Sequence, residues 1–154
     1  IATSSVPADG VRRVLRTTHL RTGVAGDLPE VGPIPCLVQP FIEPVADFRI
    51  TLVGLNAIVC KLSRASSSEI ADWRTLESAE RWEQGELPDR VVQACHHLAI
   101  IFGLSYCAID MIQDRRGRFW FLEMNCSGQW GWLDHQAGTQ IGQLIAKLLI
   151  SKGD

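Results

Sequence analysis

Two apolar, strand-forming runs joined by a short polar loop constrain the fold of this chain more than any other feature. The first run, Leu104–Gln113, reads LSYCAIDMIQ, and the second, Arg118–Asn125, reads RFWFLEMN. Between them lies Asp114–Gly117, DRRG, a polar stretch that ends in glycine and is typical of a hairpin loop. The sequence therefore predicts an antiparallel β-hairpin with strands over 105–112 and 118–125.

The hairpin carries polar side chains at positions where a strand usually packs apolar ones. Successive strand side chains alternate between the two faces of a sheet, so Glu123 and Asn125 should share a face with Phe119 and Phe121. A four-residue loop would place Asp110 opposite Phe121 and diagonal to Glu123. The pattern thus predicts three oxygen-bearing side chains on one face, those of Asp110, Glu123 and Asn125.

Three oxygen donors on one face of a rigid hairpin suit a hard divalent cation. Mg²⁺ prefers oxygen ligands, takes them from a few side chains, and fills its remaining positions with water and phosphate. The alternative is that Asp110 and Glu123 are polar groups near the strand ends with local hydrogen bonds. A single acid would favour that alternative, whereas its grouping with a second acid and Asn125 favours a metal site.

Other segments extend the pattern over most of the chain. Cys36–Gly54 reads CLVQPFIEPVADFRITLVG, Ala71–Arg74 reads ADWR, and Ser127–Trp130 reads SGQW directly after the second hairpin strand. With the hairpin, these motifs resemble the carboxy-terminal subdomain of ATP-grasp ligases. Within that superfamily the chain is most similar to the peptide ligases of the microviridin or graspetide type. Ribosomal-protein glutamate ligases and glutathione synthetases are more distant relatives, and the resemblance covers about residues 36–149.

The resemblance implies a role for each polar residue of the hairpin. In the family an Asp, a Glu and an Asn at these motif positions hold the Mg²⁺ ions that bridge the phosphates of ATP. The implied metal ligands are therefore Asp110, Glu123 and Asn125, and the implied cofactors are ATP and Mg²⁺. Family members commonly have proline after the Asn, whereas this chain has Cys126. That departure concerns the geometry of the loop and leaves the ligand set intact.

The resemblance also implies catalytic and nucleotide-binding residues earlier in the chain. Arg49 and Arg74 are the implied catalytic residues, since a planar guanidinium can meet two oxygens of a phosphate or acyl phosphate. The implied nucleotide contacts comprise an adenine hinge, two candidates for the ribose and one residue of a loop over the triphosphate. They are Gln39, Pro40, Phe41 and Ile42 for the hinge, Glu43 and Asp47 for the ribose, and Asp72 for the loop.

Purely structural interpretations of some of these residues stay open. Asp47 and Arg49 could form an ordinary ion pair on a sheet surface, and Glu43 is as well explained without a ribose contact. Lys61 and Arg64 could lie near the acceptor carboxylate or simply on the surface.

Composition bounds the remaining function classes. The chain has 154 residues, of which 46% are hydrophobic and 21% charged, as in ordinary globular domains. A net charge of −2 gives no electrostatic case for binding nucleic acid or a membrane. Five cysteines without CxxC spacing are typical of free thiols in a reducing compartment, so we expect a cytoplasmic protein.

We expect an α+β fold, an ATP-grasp carboxy-terminal subdomain with a mainly antiparallel sheet and two amphipathic helices packed on one side. Residues 1–35 should be a loop-rich remnant of the first subdomain, and residues 36–154 the carboxy-terminal subdomain with the nucleotide hinge and the metal hairpin. Further predicted elements are strands over 36–42, 48–54 and 57–63, a helix from Asp89 to about Phe102, and a helix over about 139–149. Between these, residues 64–87 should be polar and irregular.

The leading functional hypothesis is an ATP-dependent ligase that activates a carboxylate as an acyl phosphate and joins it to an amine or hydroxyl. The resemblance implies a ribosomally made precursor peptide, or another carboxylate, as substrate, with ester or amide crosslinks as products. The lysine that family members carry in the first subdomain is missing, since the three lysines are Lys61, Lys147 and Lys152. We therefore expect a fragment that is inactive without the amino-terminal part of the same enzyme. A homodimer is left open, and the alternative function is a non-catalytic module that binds nucleotide or peptide.

Overall fold

The computed structural model describes residues 39–64 and 81–151, together with the backbone of two short strands, β1 (Ser4–Ser5) and β2 (Arg13–Val14). Strands β1 and β2 pair with each other in an antiparallel ladder. The chain divides into two units, residues 1–43 with 68–76 and residues 44–67 with 77–154. The second unit contains every other element of the described structure.

A five-stranded antiparallel sheet is the framework of the second unit. Its strands are β3 (Pro44–Val53), β4 (Asn56–Ser63), β5 (Glu83–Gln84), β6 (Tyr106–Asp114) and β7 (Phe119–Asn125), in the spatial order β5-β4-β3-β6-β7. The central strand β3 pairs with both long neighbours, and all of its residues except Val45 are buried. The predicted strand over 36–42 is wrong at 39–42, which the structure shows as coil. Pro40 lacks the N–H that a ladder needs, and residues 36–38 lie outside the described part.

Three helices accompany the sheet: α1 (Asp89–Ile101), α2 (Gly131–Ala137) and α3 (Ile141–Ser151). Both predicted helices occur, and each lies within a few residues of its expected bounds. The seven-residue α2 has too few residues to show helical periodicity, and the sequence did not predict it.

The main hydrophobic core lies between α1 and one face of the sheet. It comprises alternate residues of β3 and β6 together with the inner face of α1, namely Ala46, Phe48, Ile50, Leu52, Cys107, Ile109, Met111, Cys95 and Ala99. Fully burying an aliphatic side chain such as Ile50 contributes roughly 1.5–3 kcal/mol. The remaining residues of β3, including Asp47 and Arg49, therefore point to the opposite face. Trp132 of α2, a helix that the sequence did not predict, lies over Arg49 on that face.

A β-bulge corrects the predicted register of the β6–β7 hairpin. Met111 pairs with Phe121, but Asp110 pairs with Glu123, so Leu122 is the extra residue. Asp110 is therefore opposite Glu123 and not, as predicted, opposite Phe121. The bulge also reverses the alternation, so Phe119 packs on the core side, where it contacts Phe48.

The carboxylate of Asp114 organises the turn of this hairpin. It accepts hydrogen bonds from the backbone N–H groups of Arg116 and Arg118 at 2.9 and 3.0 Å and from the indole of Trp120 at 3.0 Å. Burial opposes ionisation of Asp114, but the hydrogen bonds from Trp120, Arg118 and Arg116 hold its pKa well below the usual range. Gly117 closes the turn with a φ of 75°, which only glycine adopts readily.

Asp134 of α2 fixes the start of α3. Its two carboxylate oxygens accept hydrogen bonds from the backbone N–H groups of Ile141 at 2.8 Å and Gly142 at 2.9 Å, and it also accepts one from the Thr139 hydroxyl. Burial alone would raise the pKa of Asp134, but these hydrogen bonds lower it. The carboxylate thus caps the N-terminus of α3, a role that a residue next to the helix start has in other helices.

We expect Asp134→Asn to lower the free energy of unfolding by about 1–2 kcal/mol at pH 7. Because the folded pKa is depressed, this stabilisation is complete above the ordinary carboxylate pKa of about 3.9 and is lost as the pH falls through the folded value. Urea unfolding at pH 7 and pH 3 measures the difference, which should shrink at the lower pH. Glu86→Gln, at an exposed position, should leave the stability at pH 7 unchanged. An equal deficit for Asp134→Asn at both pH values would contradict the assignment.

Candidate functional site

Arg49 lies at the centre of the sheet face opposite α1. Its cross-strand partners are Cys60 on β4 and Asp110 on β6. The guanidinium grips the Asp110 carboxylate with two parallel hydrogen bonds, Nε to Oδ1 at 2.7 Å and Nη2 to Oδ2 at 2.6 Å. Both residues are buried, with 7% and 8% of their surface exposed. Burial lowers the pKa of Arg49, but Asp110 and then Glu123 raise it further, so the group stays charged.

Glu123 lies directly opposite Asp110 because of the bulge at Leu122. Its side chain is half-buried, and among the described residues it accepts no hydrogen bond and forms no ion pair within contact distance. Since Asp110 pairs with both Arg49 and Glu123, the Glu123 carboxylate lies near Arg49, and its charge helps to raise the pKa of Arg49. Around Arg49 the face therefore carries two carboxylates, of which Asp110 is held by the guanidinium and Glu123 is open to a further positive charge.

Asn125 follows on the same face at the end of β7, opposite Ala108. Its side-chain oxygen accepts hydrogen bonds from the backbone N–H of Ser127 at 2.9 Å and from the Ser127 hydroxyl at 3.2 Å. The predicted grouping of Asp110, Glu123 and Asn125 on one face is thus present in the structure. The set consists of two acids and an amide. Among residues 39–64 and 81–151, no group of three or more His, Cys, Asp or Glu is placed to hold a metal ion.

A second buried ion pair lies on the same face of β3. Asp47 is held by Arg64, which contacts one carboxylate oxygen through Nη2 at 2.7 Å and the other through Nε. Both residues are buried. The interpretation of Asp47 and Arg49 as one surface pair is wrong, because each binds a different partner inside the structure. The surface interpretation of Arg64 is wrong for the same reason, and the ribose contact of Asp47 stays a prediction.

The loop after Asn125 is fastened to the sheet by groups on this face. The Tyr106 hydroxyl donates a hydrogen bond to the carbonyl of Gly128, and Arg49 Nη1 reaches the carbonyl of Gln129 at 3.4 Å. Trp132 then lies over the Arg49 guanidinium, with 5.5 Å between Cζ and the ring centroid, and stacks edge-on against Trp82. The guanidinium of Arg49 therefore connects β6, the loop and α2.

Sequence reasoning did not find Tyr106 or Trp132. No local pattern singles them out, because their role depends on the packing of a loop against strands far away in the chain. The only available signal was the unusual density of tryptophan around the SGQW segment.

The other predicted residues have different outcomes. Lys61 pairs with Phe48 and so points to the α1 side, which excludes it from the neighbourhood of Arg49. Gln39, Pro40, Phe41, Ile42 and Glu43 form a coil in the first unit, where all but Ile42 are exposed. Asp72 and Arg74 lie outside the described residues, and their roles stay predictions.

A groove of about 660 Å³ opens on the α1 side of the sheet. Its lining includes Phe48, Lys61, Glu83, Arg90 and Phe119, and none of the residues that surround Arg49. Its lining carries charges of both signs, Lys61 and Arg90 with Glu83 and Glu86. On the opposite face, Glu123 has no partner among the described residues and lies beside the buried pair of Arg49 and Asp110. The grouped charges on the opposite face, and not this groove, therefore mark the candidate site.

No protein-family model matches the chain, and the comparison with curated proteins gave no match. Solved structures do match. A RiPP-associated ATP-grasp ligase from Chryseobacterium gregarium, in complex with ADP and a leader and core peptide, superposes with a TM-score of 0.80 at 28% identity, over 99% of this chain and 46% of that one. The macrocyclase MdnC from Microcystis aeruginosa, bound with the precursor peptide MdnA, is 32% identical over 72% of this chain and 34% of its own, with a TM-score of 0.62.

This chain is a relative of the RiPP-associated ATP-grasp ligases. The ATP-grasp ligase PsnB, in a complex with a minimal precursor, Mg and ADP, matches at 27% identity and a TM-score of 0.54, over 71% of this chain and 34% of PsnB. The chain spans about a third to a half of the length of these ATP-grasp ligases. The predicted α+β class and the assignment to the ATP-grasp fold are confirmed.

The close approach of the loop to β6 in this ATP-grasp relative requires glycine at 128. A Cβ atom there would lie 2.5 Å from the Cβ of Ala108, a contact that the backbone must move to relieve. We expect Gly128→Ala to lower the free energy of unfolding by about 1–3 kcal/mol. The matched control is Gly131→Ala, where a Cβ would meet nothing within 4 Å. Chemical denaturation of both variants tests this, and equal stabilities would contradict the close approach.

Proposed function

We propose that this chain supplies the metal- and phosphate-binding part of an ATP-dependent ligase that modifies a ribosomally made precursor peptide. The observation that carries the proposal is the arrangement of Arg49, Asp110 and Glu123 on one buried sheet face. Arg49 neutralises only one of the two carboxylates, so this face keeps an excess negative charge. The solved relatives add support, because their structures contain precursor peptides, ADP and, in one case, Mg.

The donor set fits Mg²⁺. Two carboxylates and an amide oxygen are hard oxygen ligands, and their small number leaves positions for water and phosphate. Glu123 accepts no hydrogen bond from the described residues, so it is free to bind a cation without breaking an existing contact. Asp110 would share its carboxylate between Arg49 and the ion, and the Asn125 oxygen already orders the turn at Ser127. When bound, Mg²⁺ would neutralise charge on the phosphates of ATP.

Arg49 would act on the transferred phosphate itself. Its Nε and Nη2 are committed to Asp110, whereas Nη1 has only the long contact to the Gln129 carbonyl. This nitrogen can therefore turn to a phosphate or acyl-phosphate oxygen while the two-pronged contact to Asp110 keeps the guanidinium in place. Phosphoryl transfer spreads negative charge over several oxygens, and fixed cationic donors stabilise that charge.

The reaction we propose joins a side-chain carboxylate of the peptide, activated as an acyl phosphate by ATP, to an amine or a hydroxyl. The phosphate leaves, and an amide or an ester remains. Arg49 contacts both the 126–130 loop and the Trp132 ring, and these contacts would keep its guanidinium at a fixed position relative to the loop. Orientation of this kind is a large part of what such a ligase contributes to the rate. The same proposal includes nucleotide contacts from the 39–43 coil and from Asp47. It also includes a loop over the triphosphate that contains Asp72 and Arg74. We place this ligase in the cytoplasm, with the amino-terminal part of an ATP-grasp ligase as its partner.

We expect the chain to bind Mn²⁺, a spectroscopic substitute for Mg²⁺, weakly alone and more tightly with ADP, since the phosphates add ligands. Glu123→Gln and Asn125→Ala should each weaken the ADP-dependent binding by at least about tenfold. Electron paramagnetic resonance of free Mn²⁺ measures this, with thermal melting as a check on folding. Glu86→Gln, an acid of the α1-side groove, is the control and should bind like the unaltered chain. Unchanged Mn²⁺ binding in both site variants would contradict the assignment of Glu123 and Asn125 as metal ligands.

We expect Arg49→Lys to reduce kcat of the complete ligase by roughly 10²-fold, although the charge is kept, because lysine cannot make the two-pronged contact and still reach the phosphate. Steady-state kinetics on the precursor peptide measures this. Arg118→Lys is the control, since Arg118 contacts Asp114 at the turn and its side chain is 56% exposed. An Arg49→Lys enzyme with normal kcat would limit Arg49 to a structural role. Nucleotide binding without any ligation by the unaltered enzyme would favour a binding module instead.

A further inference from the structure

Two free cysteines flank the end of the β6–β7 ladder. The last pair of that ladder is Ala108 with Asn125. Cys107 precedes Ala108 on β6 and Cys126 follows Asn125 in the turn after β7, so each lies one residue beyond the last pair. Both are free thiols in this structure. The two positions come together only because of the register that the bulge at Leu122 sets.

Continued by one residue, the register would bring the two thiols within the range of a disulfide. Opposed residues of an antiparallel ladder have Cα atoms about 4.5–5.5 Å apart, and disulfides form at Cα separations of roughly 4.4–6.8 Å. Continued alternation would also put both thiols on one side of the sheet, since Cys107 belongs to the core cluster and Cys126 comes two residues after Met124, which packs against that cluster. Burial raises the pKa of Cys107 and the neighbouring Cys126 thiol raises it further, which agrees with their proximity.

The exposures of the two thiols are opposite. Cys126 is exposed in the turn after β7, whereas Cys107 is fully buried. A small oxidant in solution can therefore reach Cys126 but not Cys107. Among the described cysteines, Cys126 is the exposed one, and its charge acts on Cys107. This is the arrangement of an attacking thiol and a resolving thiol.

We propose that Cys107 and Cys126 form a thiol pair that closes to an intramolecular disulfide when the chain meets a small disulfide such as oxidised glutathione. The Cys126 thiolate attacks the oxidant, forms a mixed disulfide and releases one glutathione thiolate. The Cys107 thiolate then attacks the Cys126 sulfur and releases the second glutathione. Two protein thiols are oxidised, one oxidised glutathione is reduced to two thiols, and each thiolate released takes up a proton given up by a cysteine.

The crosslink would fasten the end of β7 to β6. It closes directly beside Asn125, whose side chain orders the turn at Ser127, and so it would fix the backbone at the edge of the charged face. Formation of the crosslink does not depend on the proposed ligase activity, since it needs only the two sulfurs and the oxidant.

The test is treatment of the folded 154-residue chain with oxidised glutathione, followed by peptide mapping without reduction that assigns all five cysteines. We expect a peptide pair linked through Cys107 and Cys126, two hydrogen masses lighter than the reduced pair. The oxidised chain should melt at least about 5 °C higher than the reduced one, because the unfolded state is constrained, and dithiothreitol should reverse this shift.

Two variants sharpen the result. Cys126→Ser, at an exposed position, should fold normally and give no crosslink and no shift in melting temperature. Cys60→Ala removes a buried cysteine on the other side of the sheet and should leave the crosslink unchanged. The proposal is overturned by a stable glutathione adduct on Cys126 without loss of glutathione, or by a crosslink from Cys107 to Cys95. A crosslink that involves Cys36 would also overturn it.

Discussion

The buried ion pair between Arg49 and Asp110 is the interaction on which the rest of the candidate site depends. It joins the two central strands, and through Nη1 and the Trp132 ring it also reaches the 126–130 loop and α2. Removing either partner would leave an uncompensated charge in the sheet, which typically costs 3–5 kcal/mol. An apolar pair of the same size would stabilise the sheet as well or better, so stability alone does not account for these charges. We attribute the two buried charges to the proposed site that they form with Glu123.

A second buried ion pair, between Asp47 and Arg64, lies on the same face of β3. The central strand thus has a hydrophobic side that packs on α1 and a charged side, where Asp110 and Asp47 each have an arginine partner and Glu123 has none among the described residues. That asymmetry explains how one strand can be almost wholly buried and yet carry charged groups. It also keeps one carboxylate unneutralised at a defined position, where a cation can bind without displacing protein contacts.

Local sequence patterns predicted much of this arrangement. Alternation and the DRRG loop identified the hairpin, and the grouping of Asp110, Glu123 and Asn125 on one face followed from it. The helix that became α1 was found by its apolar periodicity and by Gly103 after its end. The hairpin register was predicted wrongly because the bulge at Leu122 shifted the pairing by one residue, and alternation by itself cannot signal an inserted residue.

By itself, then, the sequence determined the hairpin, the oxygen donors and the resemblance to ATP-grasp ligases, because these depend on spacing within short segments. Only the tertiary structure decided which acid is neutralised, since Arg49 and Asp110 are 61 residues apart and meet through strand pairing. It also decided that Asp47 belongs to Arg64, that Lys61 points away from the site, and that Trp132 covers Arg49. Each of these outcomes depends on sheet order and register, which are set by packing of the whole core and not by any local run of residues.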